Sequence, residues 1–167
     1  MTLIKSISGI RGTIGGPPSE NLTPLDAVKF AAAYGTWLRE YRQNSELTVV
    51  IGRDARLSGS MIQQLVSATL TGLGINVLDL GLSTTPTVEL AVPLEKADGG
   101  IILTASHNPK QWNALKLLNE KGEFLDARQG KAILEIAEAA DFLFAEVDDL
   151  GTVEPNDTYL DLHVKEV

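Results

Sequence analysis

The chain has 167 residues and a formal net charge of −8, enough for one domain that buries roughly two-thirds of the surface its unfolded form exposes. Its lack of cysteine excludes a disulfide frame, a thiolate nucleophile and a thiolate zinc site. With no run of about 18 apolar residues and no leader-like apolar core, the expected address is the cytoplasm. The acidic balance argues against nucleic acid or an anionic membrane as partner, and any anionic ligand must be met by local positive charge.

Met1 to Pro18 begins with apolar–polar alternation and becomes glycine-rich at Ser8-Gly9-Ile10-Arg11-Gly12 and Gly15-Gly16-Pro17-Pro18. Glycines around one arginine predict a loop whose backbone closely approaches something while Arg11 points at it. The plainer alternative is an N-terminal arm with a surface arginine. Thr23-Pro24-Leu25-Asp26 is a helix start, with Thr23 as N-cap, proline in the first turn and Asp26 near the positive end of the dipole. That helix is predicted to run to about Arg42, with Val28, Ala31, Ala32, Tyr34, Gly35 and Leu38 facing a sheet.

Leu47 to Ile51 is a β-branched run that predicts a buried strand emptying into Gly52-Arg53-Asp54-Ala55-Arg56. A helix from Ser58 or Gly59 to Leu73 follows, stopped by Gly74. Asn76 to Leu80 is the next strand, ending at Gly81, and Thr85-Pro86 caps a short helix through about Leu94. Gly99 to Leu103 is then a strand that opens onto Thr104-Ala105-Ser106-His107-Asn108-Pro109. Strands alternating with helices at these separations predict an α/β fold, a mostly parallel sheet with right-handed crossovers and helices on both faces.

In such a sheet the carboxyl ends of the strands share one edge, where ligands bind. The loops Gly52 to Arg56, Gly81 to Thr85 and Thr104 to Pro109 should therefore converge, bringing Arg53, Arg56, Ser83, Thr84, Ser106 and His107 to one site. For Arg53 and Asp54 the alternative is an internal ion pair that shapes its own loop. Ser106-His107-Asn108-Pro109 offers a hydroxyl, an imidazole and a carboxamide on a rigid turn, as a presented nucleophile would. Since Ser, Asn and Pro also build turns for their own sake, the turn alone is the competing reading.

Beyond Pro109, Ala114 to Leu118, Asn119 to Gly122 and Glu123 to Leu125 read as a β-hairpin, with Lys116 set among leucines. Lys116 either snorkels to the surface or returns to the same edge. Ala127 to Ala140 is an amphipathic helix with Ile133, Ile136 and Ala137 on one side. Glu146 to Asp149 and Glu154 to Asp157 read as linker, and Tyr159 to Val167 starts another helix. The expected division is a domain over 1–150, then a linker and the start of a next domain over 151–167.

Together these residues resemble the first domain of the α-D-phosphohexomutases, the family of phosphoglucomutase, phosphomannomutase and phosphoglucosamine mutase. Ser8 to Gly12 is similar to the family's N-terminal G-I-R-G loop, Gly52-Arg53-Asp54 to its G-R-D loop and Thr104 to Pro109 to its T-A-S-H-N-P signature, with Lys116 ten residues after the serine. The resemblance implies an intramolecular phosphotransferase: Ser106 carries the transferable phosphate, and hexose 1-phosphate and hexose 6-phosphate interconvert through hexose 1,6-bisphosphate, which also serves as activator. It further implies His107, Lys116 and Arg11 at the reaction centre, Mg2+ on an oxygen of the Ser106 phosphate, and Lys116 or His107 as general base or acid. Arg53, Arg56, Asn108 and Lys110 are then expected around substrate or phosphate, and five of the fourteen basic residues lie in or beside the motif loops. The sequence departs from the family at Ala114, where glycine is usual. The metal-binding D-G-D-G-D-R loop and the sugar-selecting and phosphate-binding loops of the family's three later domains are absent from these residues, so those domains are the expected partners and the fragment is expected to be inactive alone.

Two other classes compete. A serine hydrolase would place its nucleophile on a G-x-S-x-G elbow, which Ala105 and His107 do not match. A nucleotide- or phosphate-binding module of Rossmann type would want G-x-G-x-x-G after a strand, which the chain lacks.

Overall fold

Val49-Val50-Ile51 and Gly99 to Leu103 offer water no polar face, and both are fully buried at the centre of a sheet covered on two sides. The computed structural model describes residues 1–167. Its strands are β1 (Ile4–Ser6), β2 (Gly9–Thr13), β3 (Thr48–Arg53), β4 (Asn76–Leu82), β5 (Gly99–Leu103), β6 (Trp112–Leu118) and β7 (Val153–Pro155). Its helices are α1 (Pro24–Arg42), α2 (Gly59–Gly72), α3 (Thr85–Leu94), α4 (Ala127–Ala139) and α5 (Tyr159–Glu166). The strands form one sheet in the order β1-β2-β6-β5-β3-β4-β7. From β5 through β3 and β4 to β7 the pairs are parallel, and from β1 through β2 and β6 to β5 they are antiparallel.

Alternation along each central strand divides the apolar residues between two cores. Val49 and Ile51 of β3, Ile101 and Leu103 of β5, and Leu115 and Leu117 of β6 face the larger core with α1, α2 and α4. Val50, Ile102 and Leu118 face the smaller core under α3. This gives the expected α/β architecture with helices on both faces. Helix ends follow local chemistry: Thr23 and Asp26 make a capping box, with the Thr23 N–H donating to Asp26 Oδ2 at 3.0 Å, and Gly74 takes the left-handed φ of +82° that ends the turn after α2. The cap of α3 is Thr84, one residue before the one the proline signal suggested.

Three segments differ from expectation. The stretch Ser8 to Gly12 is not a loop: Gly9–Thr13 is strand β2, paired with both β1 and β6. Its glycine requirement is nevertheless real, because a Cβ on Gly9 would run into the Leu115 carbonyl of β6. The hairpin after β6 is reduced to its turn, with Gly122 at φ +75° and a single bridge between Leu118 and Phe124, since β6 already has partners on both edges. Finally, Val153–Pro155, inside the stretch read as linker, extends the sheet beside β4, and α5 packs its buried Tyr159 into the core under α3.

Candidate functional site

The chain leaves β3 through α2 on one face to reach β4, and returns through α3 on the other face to β5, which lies on the opposite side of β3. The loops after β3 and β5 therefore part at a topological switch point, where an open sheet leaves a crevice. The two loops are joined there: the Asp54 N–H donates to the Leu103 carbonyl at 3.1 Å, and Thr104 Oγ1 donates to Asp54 Oδ2 at 2.5 Å.

Ser106 stands at the exposed tip of this edge with a φ of +56°. A left-handed backbone costs a non-glycine residue on the order of 1–2 kcal/mol, so the loop must be held. Its N–H donates to Thr104 Oγ1 at 3.1 Å, and its carbonyl accepts from Arg56 Nη2 at 2.7 Å. Arg56 also donates to the carbonyls of Asn108 at 2.7 Å, Pro109 at 2.8 Å and Trp112 at 3.1 Å, and its Nε pairs with Asp54 Oδ2 at 3.2 Å. All five guanidinium N–H groups are thereby engaged by protein acceptors. Asp54 pairs with Arg56 rather than with Arg53. Arg53 instead donates to Gln63 Oε1 on α2 at 2.7 Å and to the Asp54 carbonyl at 3.2 Å.

The Ser106 hydroxyl has no protein partner; the side chains of His107, Asn108 and Lys110 likewise make no hydrogen bond or ion pair. Arg11 and Lys116 come together through register. Gly9 pairs with Lys116 and Arg11 with Ala114, so both cations project from one face of the β2–β6 pair while Ile10 and Leu115 fill the larger core on the other. Beside α3, which lies over β3 and β5, Arg11 is exposed and Lys116 half-buried, and this face of the β2–β6 pair is open. It forms a groove of about 270 Å3 lined by Ile4, Ser8, Arg11, Ala114, Lys116 and Phe124. Since Leu103 pairs with Leu115, Arg11 lies at the level where β5 ends, two strand spacings or about 10 Å across the sheet. Ala114, the departure from the family, lies on the floor of this groove opposite Arg11.

The third loop reaches the edge, but its hydroxyls are used internally. Ser83 packs over Gly52 and donates its N–H to the Arg53 carbonyl at 2.9 Å, and Thr84 caps α3. Sequence reasoning gave no role to Thr104, Gln63 or Asn113. The first carried a usable signal, since a threonine two residues before a turn residue commonly accepts its N–H. Asn113 is fully buried and donates to Ser58 Oγ at 2.8 Å, tying β6 to the start of α2.

No three His, Cys, Asp or Glu side chains gather anywhere in the chain to cage a metal. The one carboxylate at the crevice, Asp54, is committed to Thr104 and Arg56. These residues alone therefore do not fit a Mg2+ cage; Ser106 offers a single oxygen. No helix is long and apolar enough to cross a membrane.

Residues 3–144 match the model of the family described as phosphoglucomutase/phosphomannomutase, alpha/beta/alpha domain I. A phosphoglucomutase/phosphomannomutase of Thermococcus kodakarensis is 36% identical over 148 residues, covering 87% of this chain and 32% of that protein. A phosphoglucosamine mutase of Ligilactobacillus salivarius is 37% identical over 131 residues, covering 78% of this chain and 28% of that one. A solved structure of a phosphoglucomutase/phosphomannomutase family protein from Burkholderia thailandensis superposes with a TM-score of 0.76 at 25% identity, over 95% of this chain and 34% of that one. The chain thus spans about a third of the length of the relatives it matches. Motif order, sheet topology and family match agree: this chain belongs to the phosphoglucomutase/phosphomannomutase family and is its α/β/α domain I.

Proposed function

We propose that Ser106 is the phosphoryl carrier of a phosphohexomutase and that this chain is the nucleophile-bearing domain of that enzyme. The observation that carries the reading is a serine hydroxyl left exposed and unpartnered at a braced left-handed position on the switch-point edge. The unpaired cations Arg11 and Lys116 in the adjoining groove support it. A phosphoserine carries a charge of about −1.5 to −2, and transfer is governed by positioning and by cations near the phosphoryl oxygens.

In the reaction, a hydroxyl of a hexose monophosphate attacks phosphorus, the bond from phosphorus to Ser106 Oγ breaks, and the hydroxyl proton, taken up by Lys116 or His107, is passed on to the released Ser106 Oγ. The bisphosphate formed then returns its other phosphate to Ser106 Oγ. Arg11, Arg53, Asn108 and Lys110 are assigned to the substrate and its phosphates. A Mg2+ ion would neutralise charge on the phosphoryl oxygens, taking from this chain only a Ser106 phosphate oxygen. The absence of cysteine suits a cytoplasmic enzyme. Without the other ligands, and without the further two-thirds of chain its relatives possess, these 167 residues do not sustain turnover.

The deciding measurement is peptide mapping by mass spectrometry of the protein isolated from its own cells. Phosphate on Ser106 is expected, and its consistent absence would sink the reading. A serine hydrolase would instead be labelled at Ser106 by a fluorophosphonate, and no labelling is expected. Sustained conversion of glucose 1-phosphate by the purified 167-residue chain would overturn the claim that it is inactive alone.

A further inference from the structure

We infer that Arg56 is a positioning residue that sets the backbone of Ser106, with Asp54 and Thr104 completing the device, and that it is not a ligand for a phosphate. The hydrogen bonds close a ring. The Ser106 N–H donates to Thr104 Oγ1, the Thr104 hydroxyl donates to Asp54 Oδ2, Arg56 Nε donates to the same oxygen, and Arg56 Nη2 donates to the Ser106 carbonyl. The N–H and the carbonyl of one residue are thus tied to one carboxylate through two different side chains. Fixing both peptide groups around Ser106 fixes its φ and ψ, and so the direction in which its Cβ and Oγ leave the loop.

The ring counteracts a preference the serine would otherwise follow. At φ +56° a residue with a Cβ relaxes unless the surroundings over-determine it. Arg56 suits this task because its planar fork presents donors in fixed directions. Its Nη1 reaches the Pro109 and Trp112 carbonyls, at the exit of the loop and the first residue of β6. The guanidinium that orients Ser106 therefore also anchors the strand that carries Lys116. A phosphate ligand needs a free N–H, and Arg56 has none. Lysine in its place would keep the charge but lose the fork, so R56K separates the two roles.

The catalytic meaning of this device rests on Ser106 being the phosphoryl carrier, whereas its geometry does not, and the test reads geometry. Backbone chemical shifts and amide exchange would be measured by NMR on the isotopically labelled 167-residue chain, in wild type, R56K, T104S and T104V. Expected in the wild type are shifts of a positive φ at Ser106, a protected Ser106 amide and an Arg56 Nε–H resonance that does not move when inorganic phosphate is added. T104S retains the Ser106 signature. T104V and R56K lose it, with Ser106 exchange about tenfold faster or more, while the amides of Val50 and Ile101 stay protected and report an intact core. Should R56K unfold, the contrast between T104S and T104V still decides. Retention of positive φ and protection in T104V or R56K, or a saturable movement of the Arg56 resonance with phosphate, overturns the inference. A positive result with Ser106 unphosphorylated in native material would leave the bracing intact and remove only the mutase reading.

Discussion

Tyr34 shows how one side chain can join two layers. It lies in α1, fully buried, and its hydroxyl crosses to the sheet to donate to the Leu118 carbonyl at 2.7 Å and the Gly100 carbonyl at 3.3 Å. Burial pushes its pKa above the ordinary value of 10.0, helped by the nearby charges of Asp98 and Glu120 and opposed by the bond to Gly100. The folded form therefore keeps its proton where the unfolded form loses it. The stabilisation is complete below pH 10 and falls as pH rises beyond that, by about 1.4 kcal/mol per pH unit. In Tyr34→Phe the urea midpoint should drop at neutral pH by the equivalent of about 1 kcal/mol, with a shallower decline between pH 10 and 11. Tyr159, raised by its own burial and by Glu95, keeps its contribution in that variant. Ser106 gives the opposite case: Ser106→Gly relieves the left-handed strain and should stabilise the chain by about 0.5–1 kcal/mol in urea unfolding, while removing the hydroxyl on which the proposed chemistry depends. A destabilised Ser106→Gly would show that no strain is stored there.

Among the elements, β2 takes a different shape from the one its sequence predicts. Glycine on either side of Arg11 suggested a loop, but Gly9 is needed because β2 lies against β6 with no room for a Cβ beside the Leu115 carbonyl. Gly9→Ala should cost about 1–3 kcal/mol, the usual penalty of overpacking, and should loosen β1 and β2 first. Hydrogen exchange resolved by residue would show Ile10 and Gly12 losing protection while β3 and β5 keep theirs. The boundaries of α1 and α4 were legible because caps are local. Asp126 accepts the Gln129 N–H at 2.8 Å and Gln129 reaches back to the Asp126 N–H at 3.1 Å, so Asp126→Ala should lower stability by about 1 kcal/mol.

For the whole molecule, the segment after Leu150 decides where the domain ends. We propose that residues 1–150 fold as a unit, as the sequence suggested, yet the following residues are not idle. Val77 donates to the Thr152 carbonyl at 2.8 Å, β7 extends the sheet, and Tyr159 on α5 is bonded to Glu95 beyond the end of α3. A chain cut after Leu150 should keep the circular dichroism of an α/β fold but unfold at a lower urea midpoint than the 167-residue chain; an unchanged midpoint would mean that β7 and α5 contribute nothing. Caps, the continuous apolar runs of β3 and β5, the switch-point edge and the order of the three motifs could all be read in the linear chain, because each depends on neighbours a few residues apart or on a rule of sheet connection. The use of Arg56 could not. Its partners are main-chain carbonyls, which every residue possesses and no side-chain pattern marks. The pairing that places Arg11 beside Lys116, more than a hundred residues along the chain, is likewise fixed by register between strands, and register emerges only when both cores pack at once.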